Sequence, residues 1–590
     1  MPRREPRGPS AIRIANCSGF YGDRVSAARE MVDGGPIDVL CGDWLAELTM
    51  LILAKNRRRD PSTGFARTFV TQMEQVMGDC LDRGIRVVSN AGGLAPAACA
   101  DAVAGVADKL GLSPSIAFVE GDDLLERMTE LRDAGHAFTN LDTGELLGDR
   151  EIWTANAYLG GWGIADALGR GADIVITGRT TDAALVVGPA AWHHGWARDD
   201  WDALAGAVVA GHVIECGAQA TGGNYAFFHE VPGLEHPGFP IAEVDGDGSS
   251  VITKHESHGG LVSIGTVTAQ LLYEIGGPAY LNPDVSARFD TIELAQIAPN
   301  RVRISGVRGV PPPPTAKVCI NYEGGHRTTS TMLLTGLDIE EKAAVLERGL
   351  WSSIPGGRAA FDDVTVQLIR SDHEDPASNE EAVAQLRITV KDDDERKVGR
   401  AFSAALTELA LASYPGYFGG GASTQSYGVY WPAAIPSDLV WQEVVVSGDR
   451  TVVESTPAQD LRPPEVARRL SVARDLGETV RAPLGRVAGA RSGDKGGNAN
   501  VGVWVTSDDA YVWLDALLTV ERFKELLAET KELEVERHPL PNLRAINFVV
   551  RGLLGEGVAS STRQDAQAKG LGEYLRAKVV DVPVALLPER

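Results

Sequence analysis

The chain has 590 residues, of which 44% are hydrophobic and 23% charged, with a formal net charge of −24. That length implies two to four domains, and the composition is that of a soluble globular protein. The charge excludes a general binder of nucleic-acid backbones, and no apolar run approaches the ~20 residues a membrane span needs.

Residues 1–10 are basic and proline-bearing without an apolar core, so they read as a disordered leader and not a secretory signal. From residue 11 to about 190, short apolar runs at 12–15, 37–40, 85–88, 116–119 and 174–176 alternate with helical stretches at 24–33, 44–55, 66–83, 95–110 and 122–134. Continuous apolar strands between helices predict an α/β domain: a mostly parallel sheet with helices on both faces. The turns after those strands read NCSGFYGD, CGDWLAE, SNAGGLAP, EGDD and TGRTTD. In a parallel sheet they share the carboxyl edge, where such folds bind ligands.

Asn16, Ser18, Gly19, Asp43, Asn90, Gly92, Gly93, Asp122, Gly178, Arg179, Thr180 and Asp182 are therefore candidates for one anion-binding crevice. The competing reading is that the Asp, Ser, Thr and Asn among them are helix N-caps. Six cysteines, Cys17, Cys41, Cys80, Cys99, Cys216 and Cys319, show no C-x-x-C spacing and read as reduced thiols of a cytoplasmic protein. Cys17 and Cys41 follow strands and could be nucleophiles, although small buried hydrophobes are the commoner outcome.

From about 205 to 280 the chain is rich in glycine and polar residues. Thr221, Gly222, Gly223 and Asn224 form an anion nest or a β-turn. His255 and His258 have a spacing that a helix would place on one face, as in a metal site, but no third ligand is evident, and no metal is assigned.

An α+β texture without glycine turns spans 286–445, with strands in TAKVCINYEGG and DVTVQLIRS and an amphipathic helix at 339–351. Residues 446–482 read as linker, and 483–590 as a self-contained two-layer α+β domain.

That last domain opens with ARSGDKGGNANVGVWV. Arg491, Ser492, Gly493, Asp494, Lys495 and Asn498 sit there in what reads as a glycine loop before a strand. Its spacing is not that of a Walker phosphate loop. Arg491 and Lys495 are suited to an anionic substrate, and Asp494 to general acid–base work. A solvated Asp–Lys pair on a turn is the plainer alternative.

The segments IANCSGFYGDR, LCGDWLAELTM, VVSNAGGLAP, ITGRTTDAALVVGP, ECGAQATGGNY and SIGTVTAQLLYEIGGPAYLNPDV together resemble the acyclic terpene utilisation AtuA family. GARSGDKGGNANVGV resembles the start of the small ferredoxin-like domain that often follows it. The resemblance implies work on branched acyl-CoA intermediates, with a CoA thioester as candidate substrate; no cofactor is assigned. A lyase or hydratase-type reaction on a carboxylate or a 3-hydroxy-3-methylglutaryl-like acyl-CoA is the first expectation. Asp43, Glu47, Asp494 and Lys495 are its acid–base candidates, and Arg179 fixes a carboxylate. The alternative is a non-catalytic binding or scaffolding subunit partnered with an acyl-CoA carboxylase or another pathway enzyme. A homo-oligomer is expected only because such assemblies are common.

Overall fold

A computed structural model describes residues 10–457 and 476–588. Nearly all of the leader and residues 458–475 of the predicted linker lie outside the described residues. The chain divides into two compact units. One takes the chain up to Asn321, then Tyr430–Val558 and the stretch from Gln567; the other takes Tyr322–Val429 with Ala559–Ala566.

The larger unit is built on an eleven-stranded sheet. At its centre Ile12–Asn16, Val39–Gly42, Arg86–Ser89, Ile174–Thr177 and Ile116–Glu120 run parallel in that spatial order. Near-continuous burial of the first four matches strands covered on both faces, whereas Ile116–Glu120 alternates buried and half-buried. On one face the helices Ala27–Asp33, Arg67–Arg83 and Pro96–Leu110 bury Met31, Phe69, Met73, Val76 and Val103 against Ala15, Leu40, Val87 and Ile176. The apolar helices Trp162–Gly169, Ala184–His194 and Trp201–Ile214 also pack on this sheet.

The sheet continues beyond this parallel core. Pro240–Val244 pairs antiparallel with the first strand and is followed outward by Ser250–Lys254, Arg301–Ser305 and Glu293–Ala298. At the other edge Gln442–Val446 and Asp449–Val453 add antiparallel to Ile116–Glu120. Residues 449–453, read from the sequence as linker, are thus an edge strand; the two-residue turn after Val446 permits only a hairpin. Among the described residues, no helix is long and apolar enough to cross a membrane.

The same unit carries the C-terminal layer, a four-stranded antiparallel sheet in the order Gly489–Lys495, Asn498–Trp504, Ala545–Val550, Val535–Leu540. Ala490, Val501, Val503, Ile546 and Phe548 face the helices Asp508–Leu517, Val520–Leu526 and Leu571–Arg576. Here the sequence reading needs correction. RSGDKGGNAN is no loop before a strand but a hairpin closed by Gly496 and Gly497, with its polar residues carried on the strands.

The smaller unit is built on a sheet ordered Asp363–Ile369, Val383–Asp392, then the strand Thr315–Thr335 from Tyr322 onward; Ser423–Pro436, which belongs to this unit up to Val429, also pairs with that strand. One of its faces is covered by Ile339–Ser353 and Phe402–Glu408. The aromatic, Gly-rich stretch at 414–432 supplies most of the last strand.

Candidate functional site

Alternation along the C-terminal hairpin decides which of its side chains meet the rest of the unit. Ala490, Ser492 and Asp494 pair in register with Val503, Val501 and Ala499. The opposite face carries Arg491, Gly493, Lys495 and their partners Gly502, Asn500 and Asn498. This second face lies on the segment after helix Ile264–Leu271. Asn500 Nδ2 donates to the Leu272 carbonyl (2.8 Å), and Glu274 N–H donates to Asn500 Oδ1 (2.8 Å). Lys495 Nζ donates to the Glu274 carbonyl (2.9 Å).

Gly493 is set directly against the Tyr273 ring, where a Cβ would come within 2.3 Å of a ring carbon. The ring cannot move aside, because the Arg491 guanidinium stacks over it at 4.2 Å. Gly493→Ala is therefore expected to cost about 1–3 kcal/mol, read as a lower urea midpoint at unchanged m.

The strand ends of the large sheet reach the same place. Asp43 Oδ1 accepts from Leu45 N–H (2.9 Å) and Asn90 Nδ2 (2.6 Å), and Asn90 Oδ1 accepts from Trp44 N–H (2.8 Å). Past Ile174–Thr177, the Arg179 N–H donates to Asp122 Oδ2 (2.9 Å). Gly178 is required there, since a Cβ would strike the Asp122 carboxylate at 2.3 Å. The Arg179 guanidinium is 2% exposed. Its Nη1 bonds the Leu45 carbonyl and Asp182 Oδ1, both at 3.0 Å, and it lies over the Tyr158 ring at 4.4 Å. Glu47, the first residue of helix Glu47–Arg59, accepts from the Tyr158 hydroxyl (2.6 Å) and has Lys317 Nζ at 3.7 Å.

These groups fix one another's charge. Burial alone would raise the Glu47 carboxyl, but Lys317, Arg179 and the Tyr158 hydroxyl overcome it and hold it at about 2. Burial, with Glu274 and Glu47 as neighbouring negatives, pushes Asp494 up to about 8. Burial and the Lys317 ammonium pull Lys495 down to about 8. Asp43 is raised well above the carboxylate range by burial and by Asp182, against Arg179 and Asn90. Glu215 is raised by burial, Asp182 and Glu274. The arrangement therefore combines an ionised carboxylate, neutral carboxyls, a lysine of depressed basicity and two buried guanidiniums, with the Nε of Arg179 and of Arg491 both lacking a hydrogen-bond partner. A small, partly open cavity of about 20 Å³, room for about one water, has Tyr158 in its wall but not Glu47, Arg179, Asp494 or Lys495. The larger groove, of about 480 Å³ along 261–263 and 296–300, holds none of these groups.

Asp43, Glu47, Asn90, Arg179 and Asp182 are thus brought together through bonds and shared partners, Arg491 and Lys495 meet Tyr273 and Glu274, and Asp494 lies on the other face of the hairpin within electrostatic reach of Glu274 and Glu47. Others named from the sequence carry structural bonds. Asn16 Oδ1 accepts from Ser18 N–H (2.9 Å), the Ser18 hydroxyl donates to the Phe20 carbonyl (3.1 Å), and Gly19 N–H donates to Asp23 (2.9 Å). Ser492 Oγ accepts from Gly572 N–H (2.8 Å) at the last helix, and Asn498 Nδ2 donates to Asp142 (2.8 Å). Gly92 lies against the Thr177 carbonyl and Gly93 against Leu53. The Thr180 hydroxyl is fully buried without a partner.

Thr221 to Asn224 form a local turn in which the Thr221 hydroxyl meets the Ala218 and Gly238 carbonyls and Asn224 is exposed, so the turn does not join the cluster. Residues 255–258 are a turn and not a helix; His255 Nε2 contacts the Met31 carbonyl (2.9 Å). Among the described residues no group of three or more His, Cys, Asp or Glu side chains is placed to hold a metal ion. Burial raises the Cys17 and Cys41 thiols far above the range of a nucleophile.

Sequence reasoning missed Tyr158, Glu215, Glu274 and Lys317. Two of them carried a signal: Glu274 is a lone charge in QLLYEIGG, and His212 and Glu215 are spaced i, i+3 at the end of an apolar helix. In the structure His212 Nδ1 is 3.2 Å from Glu215 Oε1.

Fold and site define an α/β protein whose candidate site is shared between the edge of a large sheet and a small C-terminal sheet. The chain belongs to the acyclic terpene utilisation family of AtuA proteins, whose profile matches residues 12–446, and the AtuA ferredoxin-like domain matches residues 482–581. Membership connects it with acyclic terpene utilisation. No curated protein and no solved structure matches the chain.

Proposed function

We propose that the chain is an enzyme that abstracts a proton next to the carbonyl of a carboxylate or acyl-CoA substrate, as a lyase or hydro-lyase does. The observation that carries this reading is the opposed protonation of two carboxyls within electrostatic reach of each other: Glu47 is held ionised at about 2 and Asp494 neutral up to about 8. Environments that drive two carboxyls apart assign a base and an acid.

Glu47 takes the α-proton, and the electron pair left behind forms the carbon–carbon double bond. The β-hydroxyl leaves as water with the proton of Asp494. Arg179 and Arg491 offer unpartnered Nε–H donors to the anionic part of the substrate, and Lys495 supports the charge that develops. A branched 3-hydroxyacyl thioester and the matching unsaturated thioester fit this chemistry in its two directions.

The test is deuterium uptake from heavy water into the α-position of a panel of branched acyl-CoAs, followed by mass spectrometry. Uptake with the native protein and its loss in Glu47→Gln is the expected result. No uptake and no turnover across the panel would overturn the reading and leave a binding role in its place. The pH dependence has a definite sign. Asp494 gives up its proton and Lys495 its charge as pH rises through about 8, whereas Glu47 stays ionised down to about 2. The rate is expected to be flat through neutral pH and to fall above about 8, about tenfold per pH unit for loss of the acid alone and up to about a hundredfold where the Lys495 charge is lost with it, with no acidic limb in the range where the protein is folded.

A further inference from the structure

The smaller unit has a sheet face that the helices leave uncovered. Met332, Leu334, Leu386, Ile388 and Val390 pack under the helices. Alternation then places Arg327, Thr329 and Thr331 on the other face, opposite Lys391, Thr389 and Arg387. The next strand adds Asp363, Thr365 and Gln367 to it.

Two arginines converge on this face. Arg327 Nη1 donates to the Ser561 carbonyl (2.9 Å) and Arg387 Nη1 to the Thr562 carbonyl (2.8 Å), so adjacent peptide units hold the guanidiniums side by side. Both bonds end on neutral oxygens, and no carboxylate is among the groups that shift either arginine. Burial lowers both from the usual arginine value, and at Arg327 the charge of Arg387 lowers it further. Lys391 is 9% exposed, with its Nζ 4.8 Å from the centre of the Tyr427 ring. Hydroxyl pairs complete the surface, Thr329 with Thr389 at 2.9 Å and Thr365 with Thr562 at 3.1 Å. Asp363 stands in register with Lys391 and not with Arg387, which faces Gln367.

In a chain of net charge −24, two half-buried, mutually repelling guanidiniums are costly unless an anion joins them. Two guanidiniums held by adjacent carbonyls and flanked by hydroxyls supply the kind of donors that phosphoryl oxygens accept from. We propose that this face binds a phosphoryl group, a phosphomonoester or a diphosphate, between Arg327 and Arg387, with Lys391 and the threonine hydroxyls around it. The site lies wholly within the smaller unit and stands or falls independently of the acid–base reading above.

Titration calorimetry of the full chain at low salt tests it, with inorganic pyrophosphate, coenzyme A and pantetheine as probes. Pyrophosphate and coenzyme A are expected to bind and pantetheine not to. Tighter binding of coenzyme A than of pyrophosphate identifies a nucleotide-bearing ester as the source of the phosphoryl group, and equal binding identifies a free phosphate. The double variant Arg327→Gln/Arg387→Gln should weaken either by about tenfold or more. Arg387→Lys, which keeps the charge and loses the fork, should weaken binding severalfold and decides the matter if the double variant does not fold. Glu47→Gln should leave this binding unchanged. Absence of pyrophosphate and coenzyme A binding by the native chain, or undiminished binding by a folded variant, overturns the proposal.

Discussion

Glu47→Gln and Asp494→Asn are each expected to lower kcat by about 10²–10⁴-fold, the contribution of one positioned acid or base. The two should differ in what else they change. Asn reproduces the neutral form of Asp494, so the fold and the binding of a substrate analogue should survive, and the alkaline limb near 8 should shift or flatten as its titrating acid is removed. Gln at position 47 removes an ionised partner from Lys317 and Arg179, so a modest loss of stability should accompany the loss of rate. Single-turnover and binding measurements on both variants separate the outcomes. Full activity in either variant would remove that residue from the chemistry.

Arg179→Met should produce the largest effect on folding. The guanidinium is buried, bonded to Asp182 and the Leu45 carbonyl, and close enough to Asp43 and Glu47 to govern their charge. Removing one partner of a buried charge network leaves the others uncompensated, at a cost of about 3–5 kcal/mol. The sign with pH follows. Without Arg179 the folded-state pKa of Glu47 rises, so less of its stabilising charge remains above the unfolded value. The deficit should therefore open as pH rises above about 2 and level off above the raised pKa of Glu47 in the variant. Urea unfolding of native and variant protein at several pH values reads both the size and the slope.

Much of the large domain was legible because its signal is local. Each of the five central strands is an apolar run ended by a polar turn, and those turns do gather Asp43, Asn90, Arg179 and Asp182 at one edge. The antiparallel extensions were harder to see. Gln442–Val446 belongs beside Ile116–Glu120, more than three hundred residues away, and nothing in either strand names its partner. The hairpin at 489–504 was misread because glycine ordinarily marks loops. Here Gly493 and Gly502 are strand residues whose missing side chains make room for Tyr273 and Leu272. The places of Lys317 and Tyr158 were illegible for a different reason. A lysine in a strand and a tyrosine in a turn have no sequence signature; only the fold brings them to Glu47.

The hairpin has a consequence for how the chain is made. Every carboxylate of the cluster except Asp494, together with Arg179 and Lys317, lies before residue 320, whereas Arg491, Asp494 and Lys495 come near the end of a 590-residue chain. Synthesis proceeds from the N-terminus and domains fold as they emerge. The large sheet can therefore assemble on the ribosome while its acid and its ammonium are still untranslated. A nascent or prematurely terminated chain carries Glu47 and Arg179 without Arg491, Asp494 and Lys495, so the cluster is complete only after residue 495 has been made.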